Sequence, residues 1–157
     1  MINPHSVHMV SIQSGNAGTR ETLVIMRNLA LKAKRNATFF EFASSFKNAD
    51  DVNVLRDHYR YVPEEIETLI APEFNLYYFL HFGEFIGDCD DIAMLYGAVF
   101  NVIGIPSRLV AMRTERGNPE FLHVVIEAFE GGRWKRYDPT VISGLRQVDY
   151  GQMLEYI

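Results

Sequence analysis

The stretch "FIGDCDDIAMLYGAVFNVIGIPSR", residues 85–108, combines a strong helical pattern with the only cysteine of the chain. Apolar side chains recur three and four residues apart, at Ile92, Leu95, Tyr96, Val99 and Ile103. This spacing predicts a helix from Asp88 or Cys89 to about Ile103, with an apolar stripe facing the core. Gly104 follows its end, and Pro106 prevents its continuation.

Three aspartates surround Cys89 at the predicted start of this helix. Asp88 is a good N-cap, and Asp90 and Asp91 complement the positive end of the helix dipole, so capping alone explains all three. The same dipole favours the thiolate of Cys89, whereas three neighbouring carboxylates raise the pKa of its thiol. From these residues alone, Cys89 is a reactive thiolate, a metal ligand or a packed small side chain.

A second decisive stretch, "HVVIEAFEGGRWKRYDPT" at residues 123–140, predicts a β-hairpin because strand-forming runs flank a Gly-Gly turn. With the two glycines at the centre of the turn, Glu127 faces Arg136 and Phe129 faces Trp134. One pair is oppositely charged and the other is aromatic, as cross-strand neighbours should be. The face opposite to these pairs is predicted to enter the core, and it carries Val124, Ile126, Ala128 and Tyr137.

The same register places His123 diagonally across from Asp138 on one face of the hairpin, within reach of a hydrogen bond. A carboxylate on one imidazole nitrogen fixes the tautomer and leaves the other nitrogen to accept a proton. A cysteine at a helix start is a natural donor of that proton. The pattern therefore predicts a Cys-His-Asp arrangement for acyl transfer, made of Cys89, His123 and Asp138.

The rest of the chain predicts helices first and paired strands later. One helix is expected from Thr19 to about Asn36 and another over residues 50–61, whereas residues 61–88 indicate an irregular stretch with short helical turns. Residues 1–18 are expected to form a flexible arm or an edge strand, and residues 19–157 a single domain. The fold class is therefore α+β, with N-terminal helices packed on a small antiparallel sheet.

Composition and charge exclude several classes of protein. The net charge is -5 and the 15 lysines and arginines are scattered, which argues against nucleic-acid binding. A single cysteine forms no internal disulfide, no apolar run approaches the roughly 20 residues of a membrane span, and the first residues do not resemble a signal peptide. We expect a soluble protein without membrane partners, in the cytoplasm of a bacterium or host cell or associated with a virion.

No cofactor or metal is expected from the motifs. Closely paired Cys or His ligands for zinc do not occur, and "DCDDIAMLYGAV" has isoleucine at the fifth position of a would-be calcium loop and no closing glutamate. A glycine-rich phosphate loop and a serine-centred GxSxG motif are also missing.

The motifs together resemble the transglutaminase-like superfamily, a papain-related cysteine group. Its pattern is a cysteine that opens a helix, then GIPxR, then a histidine on a strand and W...DPT, as in "GDCDDIAMLYGAVFNVIGIPSRLV" and "HVVIEAFEGGRWKRYDPT". Residues 56–91 are similar to versions encoded by bacteriophages and prophages. The resemblance implies a papain- or transglutaminase-like core, with Cys89 as nucleophile, His123 as general base and Asp138 as its orienting partner.

Two departures from the family pattern concern the same site. Valine follows the histidine where an aromatic residue is common, and no glutamine shortly precedes Cys89 to complete an oxyanion hole. The backbone N–H of Cys89 would supply one oxyanion donor, and Tyr77, Tyr78 and His81 are the candidates for the second.

The resemblance leaves three functions open, because the superfamily includes peptidases, amidases, crosslinking transglutaminases and inactive proteins. The simplest expectation is a hydrolase of amide bonds in a protein or peptide substrate. The alternatives are a protein-crosslinking transglutaminase and a non-catalytic component of a phage particle, which would have oligomeric or virion partners.

Overall fold

The computed structural model describes the backbone of residues 7–9 and all of residues 15–65, 68–140 and 149–157. Helices occupy the first two thirds of the described chain: α1 (Asn16–Ala33), α2 (Ala37–Ser44), α3 (Ala49–Val52), a 3-10 helix (Asn53–His58), α4 (Pro72–Phe82) and α5 (Cys89–Ile103). The strands are β1 (Val7–Met9), β2 (Tyr59–Tyr61), β3 (Thr68–Ile70), β4 (Phe85–Gly87), β5 (Ser107–Met112), β6 (His123–Glu130), β7 (Arg133–Tyr137) and β8 (Gln152–Tyr156). The α+β class is confirmed.

The main sheet is antiparallel, with strand order β7-β6-β5-β8. Its hairpin has the predicted register: Glu127 pairs with Arg136 and Phe129 with Trp134. The Arg136 guanidinium donates to the Glu127 carboxylate over 2.8 Å, and the two aromatic rings lie 5.2 Å apart. The predicted core face of the hairpin is buried in the main hydrophobic cluster.

Helix α5 is the centre of the domain. It has the predicted bounds, and Gly104 closes it in the left-handed conformation with φ 77°. Its buried surface is broader than one stripe, since every residue from Asp90 to Phe100 is buried. The reason is that α5 packs against α1, α2 and α4 as well as against β5 and β6 of the main sheet, so neighbours enclose most of its first three turns.

Residues 50–61 do not form the predicted single helix. Asn48 caps the short helix α3 by accepting the backbone N–H of Asp51 over 2.9 Å, and a 3-10 helix follows. Tyr59–Tyr61 is then a strand that pairs in parallel with β4. Long-range pairing therefore overrides the local helical pattern here.

Residues 61–88 are also more regular than predicted, because they contain β3, α4 and β4. Pro72 is the first residue of α4, and Gly83 ends it with φ 78°. The helix is apolar on nearly all sides, so its sequence shows no stripe by which to recognise it. Strand β3 pairs antiparallel with β1, which lies within residues 1–18.

Strand β8 was not predicted, and it forms one edge of the main sheet by pairing with β5. The carboxylate of Glu155 on β8 binds Arg20 and Arg27 of α1 at 3.1 and 2.7 Å. Among the residues described, no helix is both long and apolar enough to cross a bilayer.

Candidate active site

The first turn of α5 is held by a capping box. The Asp88 side chain accepts the backbone N–H of Asp90 over 3.0 Å, and the Asp91 side chain accepts the backbone N–H of Asp88 over 3.2 Å. Capping therefore accounts for Asp88 and Asp91, as the sequence indicated. Cys89 is the first helical residue, where a backbone N–H has no partner within the helix.

Asp91 also connects α5 to strand β3. Its carboxylate is fully buried and accepts the backbone N–H of Ile70 over 2.7 Å. Burial raises the pKa of Asp91 to about 8, although the bonds from Ile70 and Asp88 oppose the rise. Gly87 packs directly against this side chain: it has φ 130°, and a Cβ atom there would lie 2.3 Å from Asp91 Oδ2. Only glycine fits between β4 and the start of α5.

The hydrogen bond predicted from the hairpin register is present. His123 Nε2 lies 2.7 Å from Asp138 Oδ2, and both side chains are largely buried, at 11% and 13% exposure. The other oxygen of Asp138 accepts the backbone N–H and the hydroxyl of Thr140, over 3.2 and 2.6 Å. Because an ionised carboxylate only accepts, Nε2 carries the proton in this pair and Nδ1 is left as the basic nitrogen.

Cys89 and His123 line the same cavity, which has a volume of about 430 Å³. Its other lining residues come from the start of α1, the start of α5, the segment before β6 and β6 itself: Gly15, Gly18, Thr19, Thr22, Leu23, Asp88, Asp90, Glu120, Phe121, Leu122 and Val124. This volume is in the range of small-molecule and peptide side-chain pockets. The structure thus brings together the three residues that the sequence predicted, on α5, at the start of β6 and just after β7.

The environment of Cys89 keeps its thiol protonated at rest. Burial raises the pKa of Cys89 most, the charges of Asp90 and Asp88 raise it further, and the backbone N–H of Val124 lowers it. The Cys89 Sγ–H donates to Asp90 Oδ1 over 3.4 Å. The sequence left open whether the helix dipole or the acidic neighbours prevail, and in this structure burial and the acids do.

The predicted second oxyanion donors lie elsewhere. Tyr77, Tyr78 and His81 are on α4, and none is among the described residues that line the cavity. His81 Nδ1 lies 2.8 Å from the backbone oxygen of Tyr77, one turn back in the same helix, and Tyr77 is 38% exposed. Nearness in sequence suggested these residues, but α4 does not present them to Cys89.

Sequence reasoning missed Tyr59, which touches the backbone immediately before Cys89. The Tyr59 hydroxyl lies 2.8 Å from the carbonyl oxygen of Gly87 and 3.1 Å from that of Asp88. The contact exists because β2 pairs in parallel with β4. No local pattern in the sequence predicts that pairing.

Within the described ranges, one set of side chains has the composition to hold a metal ion. The ligand atoms of Asp88, Cys89 and Asp90 lie within 4.8 Å of one another. These are three consecutive residues of a helix start, where the acids already serve the cap and the thiol, so the cluster is explained without a metal.

The sequence model of the transglutaminase-like superfamily matches residues 41–139, which contain Cys89, His123 and Asp138. The chain belongs to the transglutaminase-like superfamily. No curated protein matches it. Membership of this superfamily supports a cysteine-dependent enzyme in general.

Two solved structures are similar to this transglutaminase-like chain. One is titled as a putative cysteine protease from Cytophaga hutchinsonii, with a TM-score of 0.48 and 17% identity over 93% of this chain and 49% of that one. The other is titled as a putative protease from Parabacteroides distasonis, with a TM-score of 0.44 and 17% identity over 73% of this chain and 26% of that one. The chain therefore spans about half and about a quarter of their lengths.

Proposed function

We propose that the protein hydrolyses amide bonds in a peptide or protein substrate, with Cys89 as nucleophile, His123 as general base and acid, and Asp138 as the residue that orients His123. The observation that carries the proposal is the 2.7 Å bond between His123 Nε2 and Asp138 Oδ2, beside a cavity that the Cys89 side chain also lines.

In the first half of the reaction, His123 Nδ1 takes the Sγ proton as the sulfur attacks the carbonyl carbon of the substrate. The new S–C bond gives a tetrahedral oxyanion, which the backbone N–H of Cys89 stabilises at the positive end of α5. The imidazolium, held by Asp138, then gives its proton to the leaving amine as the C–N bond breaks. The products are a free amine and a thioester on Cys89.

In the second half, His123 accepts a proton from water as the water oxygen attacks the thioester carbonyl. Collapse of the second tetrahedral intermediate releases the carboxylic acid, and the proton returns to the sulfur. A thiol that is protonated at rest fits this scheme, because His123 removes the proton during attack and no preformed thiolate is needed.

The test is a screen of peptide, amide and thioester substrates with the parent protein, Cys89→Ala and His123→Ala. Hydrolysis should fall about 10³-fold or more in both variants, because removing one member of such a triad costs nearly as much as removing all of it. Phe129→Ala, on the far end of the hairpin from His123, is the matched control and should keep its activity. If Cys89→Ala turned over every substrate as fast as the parent, the proposal would be wrong.

The same screen distinguishes crosslinking from hydrolysis. A crosslinking enzyme forms the same thioester but transfers the acyl group to a lysine amine, which has to outcompete water. Adding a soluble primary amine and measuring the ratio of amide to acid products separates the two reactions. We expect acid to predominate, and predominant amide formation would make the protein a transglutaminase.

A non-catalytic role in a phage particle makes the opposite prediction for the same protein. A scaffold would assemble into rings or tubes and would show no turnover that depends on Cys89. Light scattering and electron microscopy of the purified chain, beside the substrate screen, separate this role from an enzyme.

A further inference from the structure

The peptide groups just before Cys89 are held by the Tyr59 side chain as well as by the pairing of β2 with β4. The Tyr59 hydroxyl bonds the carbonyl oxygen of Gly87 over 2.8 Å and lies 3.1 Å from that of Asp88. The Gly87 oxygen also accepts the backbone N–H of Val62 over 2.8 Å. Strand β2 and the residue after it thus supply both donors on this side of the turn.

The opposite side of the turn is held by Asp91. Its two carboxylate oxygens accept the backbone N–H groups of Asp88 and Ile70, and it packs against the Cα of Gly87. The Gly87–Asp88 segment is therefore bonded directly by β2 and by Asp91 of α5, and Ile70 of β3 in turn bonds Asp91. These contacts leave the peptide unit that joins Asp88 to Cys89 little freedom to rotate.

The carbonyl of Asp88 and the N–H of Cys89 are the two ends of one planar peptide group. In a trans peptide they point in opposite directions, so fixing the direction of the oxygen also fixes the direction of the N–H. The Asp88 oxygen accepts the backbone N–H of Ile92 over 3.3 Å, which is a helical bond of α5, and the Tyr59 hydroxyl contacts the same oxygen over 3.1 Å. Through this plane, the Tyr59 hydroxyl and the Ile92 N–H together influence where the Cys89 N–H points.

The Tyr59 side chain suits this task. It is partly buried, and burial together with the charge of Asp88 raises the pKa of its phenol, so the hydroxyl keeps its proton. Both of its contacts are to carbonyl oxygens, which makes it a donor and excludes it as a base.

We propose that Tyr59 is a positioning residue for Cys89: together with the helical bond from Ile92, its hydroxyl sets the orientation of the Asp88–Cys89 peptide and thereby aims the Cys89 N–H at the oxyanion of the tetrahedral intermediate. This inference rests on the proposed function. It assigns to β2 a part in the reaction beyond the three residues of the triad.

The test compares Tyr59→Phe with Tyr96→Phe. Tyr96 is a buried residue of α5, two turns along the helix from Cys89. Its hydroxyl donates to the Asn53 side chain over 3.2 Å. Each variant removes one hydroxyl and nothing else, so urea denaturation of both measures the stability that each hydroxyl contributes.

We expect kcat of Tyr59→Phe to fall about 10- to 100-fold with KM within about twofold of the parent, because an oxyanion donor acts in the transition state and a small misorientation is costly. Alkylation of Cys89 by iodoacetamide should keep its rate within about twofold, since attack on a saturated carbon forms no oxyanion. Tyr96→Phe should keep both rates. Parent-like kcat in Tyr59→Phe, or an equal loss in both variants, would overturn the proposal.

An NMR measurement keeps the inference separate from the proposed function. The amide resonance of Cys89 should move in Tyr59→Phe and stay in place in Tyr96→Phe, whether or not a substrate is found. If the parent hydrolysed nothing while this resonance moved, the proposed function would fail and the positioning of the peptide would stand. An unmoved resonance would refute the positioning itself.

Discussion

Replacing Asp90 with asparagine should make the Cys89 thiol more acidic. Asp90 Oδ1 lies 3.4 Å from Sγ, Asp90 is 8% exposed, and its charge is the largest electrostatic cause that raises the pKa of Cys89 after burial. Asparagine has nearly the same shape and keeps an oxygen that accepts the Sγ–H. The substitution therefore removes the charge and leaves the packing in place.

The size of the effect follows from Coulomb's law. At 3.4 Å, two unit negative charges repel by about 1 kcal/mol in bulk water and by about 5 kcal/mol at the effective dielectric constant of about 20 that suits protein sites. The thiolate fraction at a given pH should therefore rise by about tenfold to about 5 × 10³-fold in Asp90→Asn. The pKa of Cys89 should still lie above its ordinary value, because burial is the largest cause and remains.

The assay is the rate of Cys89 alkylation by iodoacetamide as a function of pH. Cys89 is the only cysteine, so every alkylated molecule reports on this site. Asp57→Asn, at an exposed position in the 3-10 helix, is the control for the loss of one negative charge from the whole protein. An alkylation profile of Asp90→Asn that coincides with those of the parent and of Asp57→Asn would refute the electrostatic account of the site.

Three further predictions concern stability, measured by urea denaturation. Gly87→Ala should cost about 1–3 kcal/mol and disturb the start of α5, because its φ is 130° and the new Cβ would overlap Asp91. The pKa of Asp91 is raised to about 8 in the folded state, so the stability that the protonated side chain contributes is full below about pH 4. This stability is lost as the pH rises to about 8, at up to about 1.4 kcal/mol per pH unit. Asp91→Asn should abolish this pH dependence. Glu127→Gln should cost about 2 kcal/mol, because the buried carboxylate binds Arg108 and Arg136 at 2.7 and 2.8 Å; no loss would show that both pairs are screened by solvent.

Local signals predicted the two elements that carry the candidate site. The bounds of α5 follow from Asp88 at one end and Gly104 and Pro106 at the other, and the hairpin register follows from counting outward from two glycines. Once that register is known, it places His123 and Asp138 on the same face of the hairpin and within reach of each other. Such features depend on residues close together in sequence, so a single sequence determines them.

The elements that were missed depend on distant partners. Strand β2 forms against β4, which begins 24 residues after it, and β8 forms against β5, across the segment that contains the hairpin. Helix α4 is apolar on nearly all sides, so it is recognised only by its neighbours α5 and β4. The same dependence on distant partners explains why the contact of Tyr59 was not predicted. It also explains why the oxyanion donors predicted on α4 lie away from Cys89.

The acidic start of α5 imposes two opposing demands on one turn of helix. Asp88 and Asp91 stabilise the helix by capping it, yet Asp88 and Asp90 disfavour the thiolate of the residue between them. A preformed thiolate–imidazolium pair would have to overcome both carboxylates at rest. In the proposed mechanism, attack assisted by His123 avoids that cost, because the sulfur loses its proton only as its charge passes to the substrate oxygen, where the Cys89 N–H receives it. Acidic neighbours are therefore compatible with catalysis when the Cys89 N–H points at the oxyanion. The orientation of the backbone that Tyr59 and Asp91 hold then matters more than the pKa of the thiol.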